Sequence, residues 1–211
     1  MRMSEPVGKG KVAPTVGRRD SRGDERRRKI FRALHDCIIE KGYVRTTLAD
    51  VAQSADMSAS HLLYYFDGKE DVLEQYFQNV AERFVLRLEE MRTLDTALRM
   101  EALADFWFHG ESSTRQEIGF MLECFGAAVN DDVLRVTKSQ FDMYCKDFLS
   151  NIFRESKVSL PPVPQDAAEL AYAIMIGLRS AVYFDEDVDL ARAHTLFLST
   201  VQGMCVTGLS D

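Results

Sequence analysis

The sequence predicts an all-α protein, and three observations carry the prediction. All five prolines fall at Pro6, Pro14, Pro161, Pro162 and Pro164, leaving 146 consecutive residues, 15 to 160, without a helix breaker. Apolar residues recur at helical spacing, as in Ile30, Leu34, Cys37 and Ile38 and again in Leu73, Tyr76, Phe77, Val80, Phe84 and Leu88. Strand-like alternation is absent over any useful length.

Capping chemistry places the elements, because a helix terminus leaves donors that Ser, Thr, Asp or Asn satisfies. The first helix runs from about Asp24 to Lys41 and closes at Gly42 and Tyr43. Thr47, followed three residues on by Asp50, is a capping-box-like start for a short helix through Ala55. Ser58 caps another short helix. Asp67 and Glu70 repeat the cap-plus-acid arrangement and open a long helix to about Met91. Further helices are expected near 96 to 109, ended by Gly110, at 114 to 129 and at 131 to 156. The stretch from Pro161 to Pro164 reads as a stiff linker. After it come helices from Gln165 to Phe184 and from Asp189 to Leu209, about nine in all. Both final helices are apolar on more than one face: Leu170, Ile174, Leu178 and Val182 form one stripe, while Tyr172, Met175, Ile176 and Tyr183 lie elsewhere. Such helices need cover on both sides, and a second copy of the chain supplies it. Leu178, Tyr183, Phe197 and Val201 are the candidate dimer-interface residues.

With 211 residues, 46% hydrophobic and 28% charged, the chain has the composition of a globular protein of one or two units. No apolar run is read as reaching the roughly 18 residues that span a bilayer, and no secretory h-region opens the chain, so a cytoplasmic protein with no membrane partner is expected. Cys37, Cys124, Cys145 and Cys205 are widely spaced with no C-x-x-C pair, and are read as reduced core residues. The net charge of −7 hides an asymmetry: residues 1–72 hold 14 basic and 11 acidic residues, whereas 73–211 hold 12 and 22. Residues 1–32 alone carry 11 basic against 4 acidic, which suits a polyanion or a solvated, disordered tail.

The segment from Thr46 to Phe66 reads as a helix-turn-helix. Its first helix presents Leu48, Val51 and Ala52 inward, Asp56 and Met57 make the turn, and the second buries Leu62 and Phe66. Ala59, Ser60, His61 and Tyr64 are left on the outer, N-terminal part, where a recognition helix meets base edges and phosphates.

These residues resemble a known family. Gly42 and Tyr43, Thr47, the block Asp50, Val51 and Ala52, then Met57 and Ser58, Leu62, Tyr65 and Phe66, and Lys69, Glu70 and Leu73 look like the DNA-binding domain of TetR-family transcriptional regulators. The match spans Arg26 to Leu73. It implies a homodimer on a palindromic double-stranded operator, with a C-terminal helical domain that binds a small inducer and dimerises through its last two helices. Carried over residue by residue, Thr47, Ser58, Ala59, Ser60, His61, Tyr64 and Lys69 are the expected DNA-binding residues, Lys69 on phosphate. The chain departs from the family at Asp56 and Ser60, where Gly is usual or frequent, and at Leu63, where a phosphate-contacting Tyr is common. The tyrosine contact is therefore assigned to Tyr64.

Nine aromatic residues, from Phe106 to Phe153, fall on three expected helices; most of them are core. Between such helices bundles place ligand cavities. Trp107, Phe125, Phe141, Tyr144 and Phe148 are the candidate ligand-binding residues, with His109 and Glu123 as polar members and an apolar or aromatic effector. His35, His61, His109 and His194 are scattered, without H-E-x-x-H, so no metal site and no cofactor are expected. Walker and G-x-S-x-G motifs are missing too, and no catalytic set emerges. The expected organisation is a basic, disordered arm (1–24), a helix-turn-helix domain (25–70) and a ligand-binding and dimerisation domain (71–211). The expected function is a ligand-released repressor. Its rivals are a cofactor-dependent bundle enzyme with an incidental helix-turn-helix and an architectural DNA-binding protein without an inducer.

Overall fold

Residues 22–110, 113–156 and 161–205 are described by the computed structural model, and within them the chain forms nine helices and no strand. These are α1 (Arg22–Lys41), α2 (Leu48–Ser54), α3 (Ala59–Leu62), α4 (Lys69–Met91), α5 (Thr96–Phe108), α6 (Arg115–Ala128), α7 (Asp132–Glu155), α8 (Pro164–Phe184) and α9 (Leu190–Gly203). Most of the expected basic arm and the end of the expected helix to Leu209 lie outside the described residues.

Side-chain caps set most of the N-termini. Thr47, Ser58, Thr114, Asp131 and Asp189 each accept a backbone N–H from the residue three positions on. A cap of this kind is worth about 1 kcal/mol. At α2 the box is complete, since Asp50 accepts from the Thr47 N–H at 2.8 Å and from its hydroxyl at 2.5 Å. Helix α4 departs from expectation. Gly68 is its N-cap, without a side-chain cap, and Asp71 rather than Glu70 reaches back, accepting the Asp67 N–H at 2.9 Å. Among the described residues Gly42 after α1 (φ 81°) and Asp56 between α2 and α3 (φ 53°) adopt the left-handed conformation.

Two apolar cores result. Ile30, Leu34 and Ile38 of α1 meet Val51, Ala52, Leu62 and Phe66, together with Val72 and Leu73 from the start of α4. The second core gathers Leu88 and Met91 from the end of α4 with Phe108, Phe148, Phe153, Met175 and Phe197. Helix α6 serves both, giving Phe120, Cys124 and Ala128 to the first and Ile118 to the second. Cys37, Cys124 and Cys145 are buried free thiols, as small apolar residues would be.

Helix α8 corrects one reading of the sequence. An 18-residue window within Pro164–Phe184 has mean hydropathy 1.3, so by length and composition this helix could cross a bilayer. Within the fold it packs along α7 and against α6 and α9, with Ala167, Ala171, Met175 and Arg179 on its buried face.

Asp56 gives a test of the turn. A left-handed residue other than Gly, Asn or Asp costs roughly 1–2 kcal/mol, and the exposed Lys29 contact at 3.6 Å adds little. Asp56→Ala is expected to lower the melting temperature by roughly 2–8 °C, while Asp56→Gly leaves it unchanged or slightly higher. An alanine variant more stable than the glycine variant in thermal melts would show that this turn is not under steric constraint.

Candidate nucleic-acid interface and ligand cavity

The outer face of the helix-turn-helix is built by what its buried face holds still. With Val51, Ala52, Leu62 and Phe66 inside, Ser58, Ala59, Ser60, His61, Leu63 and Tyr64 are all exposed, Tyr64 at 81%. Ser58 Oγ accepts the His61 N–H at 3.1 Å, which leaves its hydroxyl proton to donate outward. The Tyr64 ring is held edge-on against Tyr65 at 5.3 Å, and His61 rests beside Tyr65 at 5.6 Å. Thr47 is differently engaged: its hydroxyl accepts the Asp50 N–H and donates to the Asp50 carboxylate, which also pairs with Lys41 at 2.7 Å. Lys41 and Thr47 hold the Asp50 carboxyl well below the usual carboxylate range.

Lys69 sits at the start of α4, half-buried. Its Nζ donates to the Tyr43 carbonyl at 3.2 Å and lies 4.3 Å from the centre of the Tyr43 ring. Two contacts therefore fix the direction of this ammonium while two of its three N–H donors stay available. Burial pushes the Tyr43 phenol up to about 12, so it stays neutral beneath the cation.

A cavity of about 980 Å³ opens between α4, α5, α6, α7 and α8, with His35 of α1 in its wall. That volume is ample for a small organic ligand. Trp107, Phe125 and Phe141 line it, with Phe84 packed against Phe106, Trp107 and Phe141 at centroid distances of 5.0, 5.5 and 5.8 Å. Tyr144 and Phe148 are not in the lining. The Tyr144 hydroxyl donates to Glu89, and Phe148 is fully buried in the second core, with Arg92 5.3 Å from its ring centre. His109 is in the lining, whereas Glu123 is turned toward α1.

The residue that spacing alone did not bring forward is Arg179. A lone cation in an otherwise apolar stretch of α8 was the available signal. Its guanidinium is 3% exposed, donates to the Trp107 carbonyl and lies 5.3 Å from the Trp107 ring centre. Burial lowers its pKa to about 10, and it remains charged at neutral pH. Arg83 and Arg87 also line the cavity, Arg87 paired with Glu90 at 2.6 Å, and Glu117 is the acid in the lining.

That acid is committed to α1. His35 Nε2 lies 3.1 Å from a Glu117 carboxylate oxygen and its ring 4.6 Å from Phe120. The bond to Glu117 raises the His35 pKa above 6.5, burial opposing. Six residues along α6, Glu123 accepts the Tyr43 N–H at 3.1 Å and would stand 3.1 Å from a side-chain carbon placed at Gly42. Helix α6 is pinned at its other side by Gly119, where an added Cβ would come within 2.6 Å of the Tyr183 ring.

Of the four residues expected at a dimer interface, Leu178 and Tyr183 are partly buried, while Phe197 and Val201 are fully buried within the protomer. The apolar surface left free lies beside them: Leu170 and Phe184 of α8, with the small Ala173 and Gly177 between, and Leu196 of α9.

The model for bacterial regulatory proteins of the tetR family matches residues 30–76, and the model for the C-terminal part of BetI-type transcriptional repressors matches residues 97–206. No curated protein matches the chain in sequence. Solved structures share the fold at low identity. A TetR transcription regulator from Haloarcula marismortui is 21% identical, with TM-score 0.76 over 86% of this chain and 99% of its own. The SmeT–triclosan complex is 21% identical, with TM-score 0.72 over 89% and 95%. A transcriptional regulator from Saccharomonospora viridis in complex with choline is 17% identical, with TM-score 0.74 over 87% and 99%. With both models matched in order along one chain, and the second covering more than half of it, the chain belongs to the tetR family of bacterial transcriptional regulators.

Proposed function

We propose that this regulator is a homodimeric repressor released from a palindromic operator by a small ligand with an aromatic or apolar body and an anionic head. The observation that carries the reading is that α1 of the DNA-reading head forms part of the wall of the ligand cavity. A ligand there meets Phe120 and Cys124, which are also members of the head's own core. Displacing α6 displaces its polar ties to His35 and Tyr43, and Tyr43 is what aims Lys69. The ligand acts by favouring a dimer whose two heads no longer match major grooves one turn, roughly 34–36 Å, apart. A hundredfold loss of operator affinity requires about 2.7 kcal/mol of differential ligand binding between the two states.

Dimerisation is supported by the free stripe of Leu170, Ala173, Gly177 and Phe184, whose small members permit close helix approach. The anionic head is supported by the buried Arg179 with Arg83 and Arg87. The neighbours' triclosan and choline illustrate that this fold accepts quite different molecules. Here the Trp107 face already has a guanidinium against it, which disfavours a quaternary ammonium at the same place. A cavity of this size also argues against a purely architectural DNA-binding role.

Three measurements test this reading. 2-Naphthoate is expected to quench or shift the fluorescence of Trp107, the only tryptophan, at concentrations at least about tenfold below those needed for the neutral 2-naphthamide or for choline. Arg179→Met should erase the preference; equal binding of all three probes by the wild type rules out the anionic head.

Ser58, Ser60, His61 and Tyr64 are proposed to face the operator, with Ala59 and Thr47 lying alongside. Lys69→Ala removes one phosphate contact per subunit, so the slope of log affinity against log salt should fall by about 1.8 for a dimer and about 0.9 for a monomer. An unchanged slope with DNA binding intact would show that Lys69 does not meet phosphate.

The His35–Glu117 tie stabilises through a raised imidazole pKa. Its contribution is fully present below pH 6.5 and is lost as pH rises through the folded-state value. The melting-temperature difference between wild type and Glu117→Gln should therefore shrink from pH 6 to pH 8.5. A difference that grows with pH would mean that the tie does not act through the histidine charge.

A further inference from the structure

We propose that Asp105, His109 and His194 form a binding site for one divalent transition-metal ion of the zinc, nickel and cobalt class. Asp105 and His109 stand one turn apart at the end of α5, so both project from one helix face. His194 comes from α9, which packs on α5 with Phe108 and Phe197 at a centroid distance of 5.7 Å. The fold thus delivers residues 89 positions apart in sequence to one point.

The geometry is that of a three-ligand set. Asp105 Oδ1 lies 3.1 Å from His109 Nδ1 and 3.0 Å from His194 Nε2, and one donor atom from each residue lies within 4.8 Å of the others. Tetrahedral zinc with bonds of about 2.0–2.1 Å places its ligand atoms roughly 3.3 Å apart, a few tenths of an ångström from the two carboxylate–imidazole separations. His109 and Asp105 are about half exposed and have the freedom to open by that amount, whereas His194 is 17% exposed and anchors the set. The two imidazoles stack nearly parallel, 4.1 Å between centroids and 18° between planes. In this stack the in-plane lone pairs run side by side, so a divalent cation is taken up when the half-exposed His109 ring turns about its Cβ–Cγ bond until its Nδ1 and His194 Nε2 converge with the carboxylate on one point. Two nitrogens and one oxygen suit zinc, nickel or cobalt better than magnesium or calcium, and the exposed side leaves a further position for water.

An ion here would tie α5 to α9 at the rim of both hollows. Asp105 and His109 border a smaller cavity of about 600 Å³ beside Arg87 and Glu90, and His109 also lines the larger one. The site therefore couples metal supply to the shape of the effector cavity without contributing to its floor.

The test is titration of the full-length, chelator-stripped protein with cobalt(II), followed by competition with zinc(II). One ion per chain is expected, with weak visible d–d absorption of a nitrogen–oxygen set, displacement by zinc and a melting temperature that rises with zinc. Asp105→Asn, the least disruptive change, and separately His194→Ala should each weaken binding at least about tenfold and remove the thermal shift while the helical circular-dichroism signal is kept. Absence of stoichiometric uptake, unaltered affinity in both variants, or an intense thiolate-to-cobalt band marking a cysteine site would each overturn the proposal.

Discussion

Helix α6 is the element on which the rest depends, because it cannot move without disturbing two cores at once. Its Ile118 is fully buried among the C-terminal helices, while Phe120, Cys124 and Ala128 complete the core under the helix-turn-helix. The three N-terminal helices do not close their own interior; Leu134 of α7 is needed as well. A close-packed interior transmits displacement instead of absorbing it, since a gap of half an ångström already forfeits much of the contact energy. Gly119 sharpens the constraint. With the Tyr183 ring seated where a side chain would stand, α6 has no slack against α8. On this side Arg115 of α6 also donates to the Tyr183 carbonyl at 2.8 Å, while toward α1 the helix is held through Glu117 and Glu123.

Those ties have the right magnitude for a switch. A fully buried Phe or Leu contributes about 1.5–3 kcal/mol, whereas a partly exposed hydrogen bond contributes about 0.5–1.5 kcal/mol net. His35 to Glu117 and Tyr43 to Glu123 end on carboxylates and contribute about 1.5–3 kcal/mol at most, less where exposed. They can be exchanged for water or for a ligand group while the apolar cores stay intact. In the proposed mechanism the head is re-aimed without being unfolded, and a ligand's differential affinity of a few kcal/mol is of the same order as the ties it replaces.

Local features were legible in the sequence and distant ones were not, for a physical reason. Caps at Thr47, Ser58, Asp131 and Asp189 are decided by residues three apart, so spacing alone finds them. The start of α4 misled because Asp71 lies one residue beyond Glu70 and reaches back equally well. Phe197 and Val201 fit an apolar stripe whether a partner chain or the protomer's own α5 covers them, and periodicity carries no information on which. Asp56 shows the opposite case: its tolerance of the left-handed region is an intrinsic property, and it occupies that region here. The junction of α1 with α6 and the meeting of Asp105 with His194 join residues more than 80 positions apart, which no local rule reaches.

Tyr43 shows how little covalent structure is needed to connect the two halves. Its N–H is given to Glu123 on α6 and its carbonyl receives Lys69 on α4, so adjacent peptide groups of one residue answer to both domains. Gly42 makes this possible. Its left-handed φ of 81° turns the chain sharply after α1, and the missing side chain lets the Glu123 carboxylate approach the turn. In the proposed mechanism a shift of that carboxylate changes its bond to the Tyr43 N–H and, through the same residue, the carbonyl that receives Lys69. Phosphate contacts set register on DNA without reading sequence. In the proposed mechanism, moving such a contact changes whether both half-sites of the operator are occupied together and leaves the residues proposed to face the bases untouched.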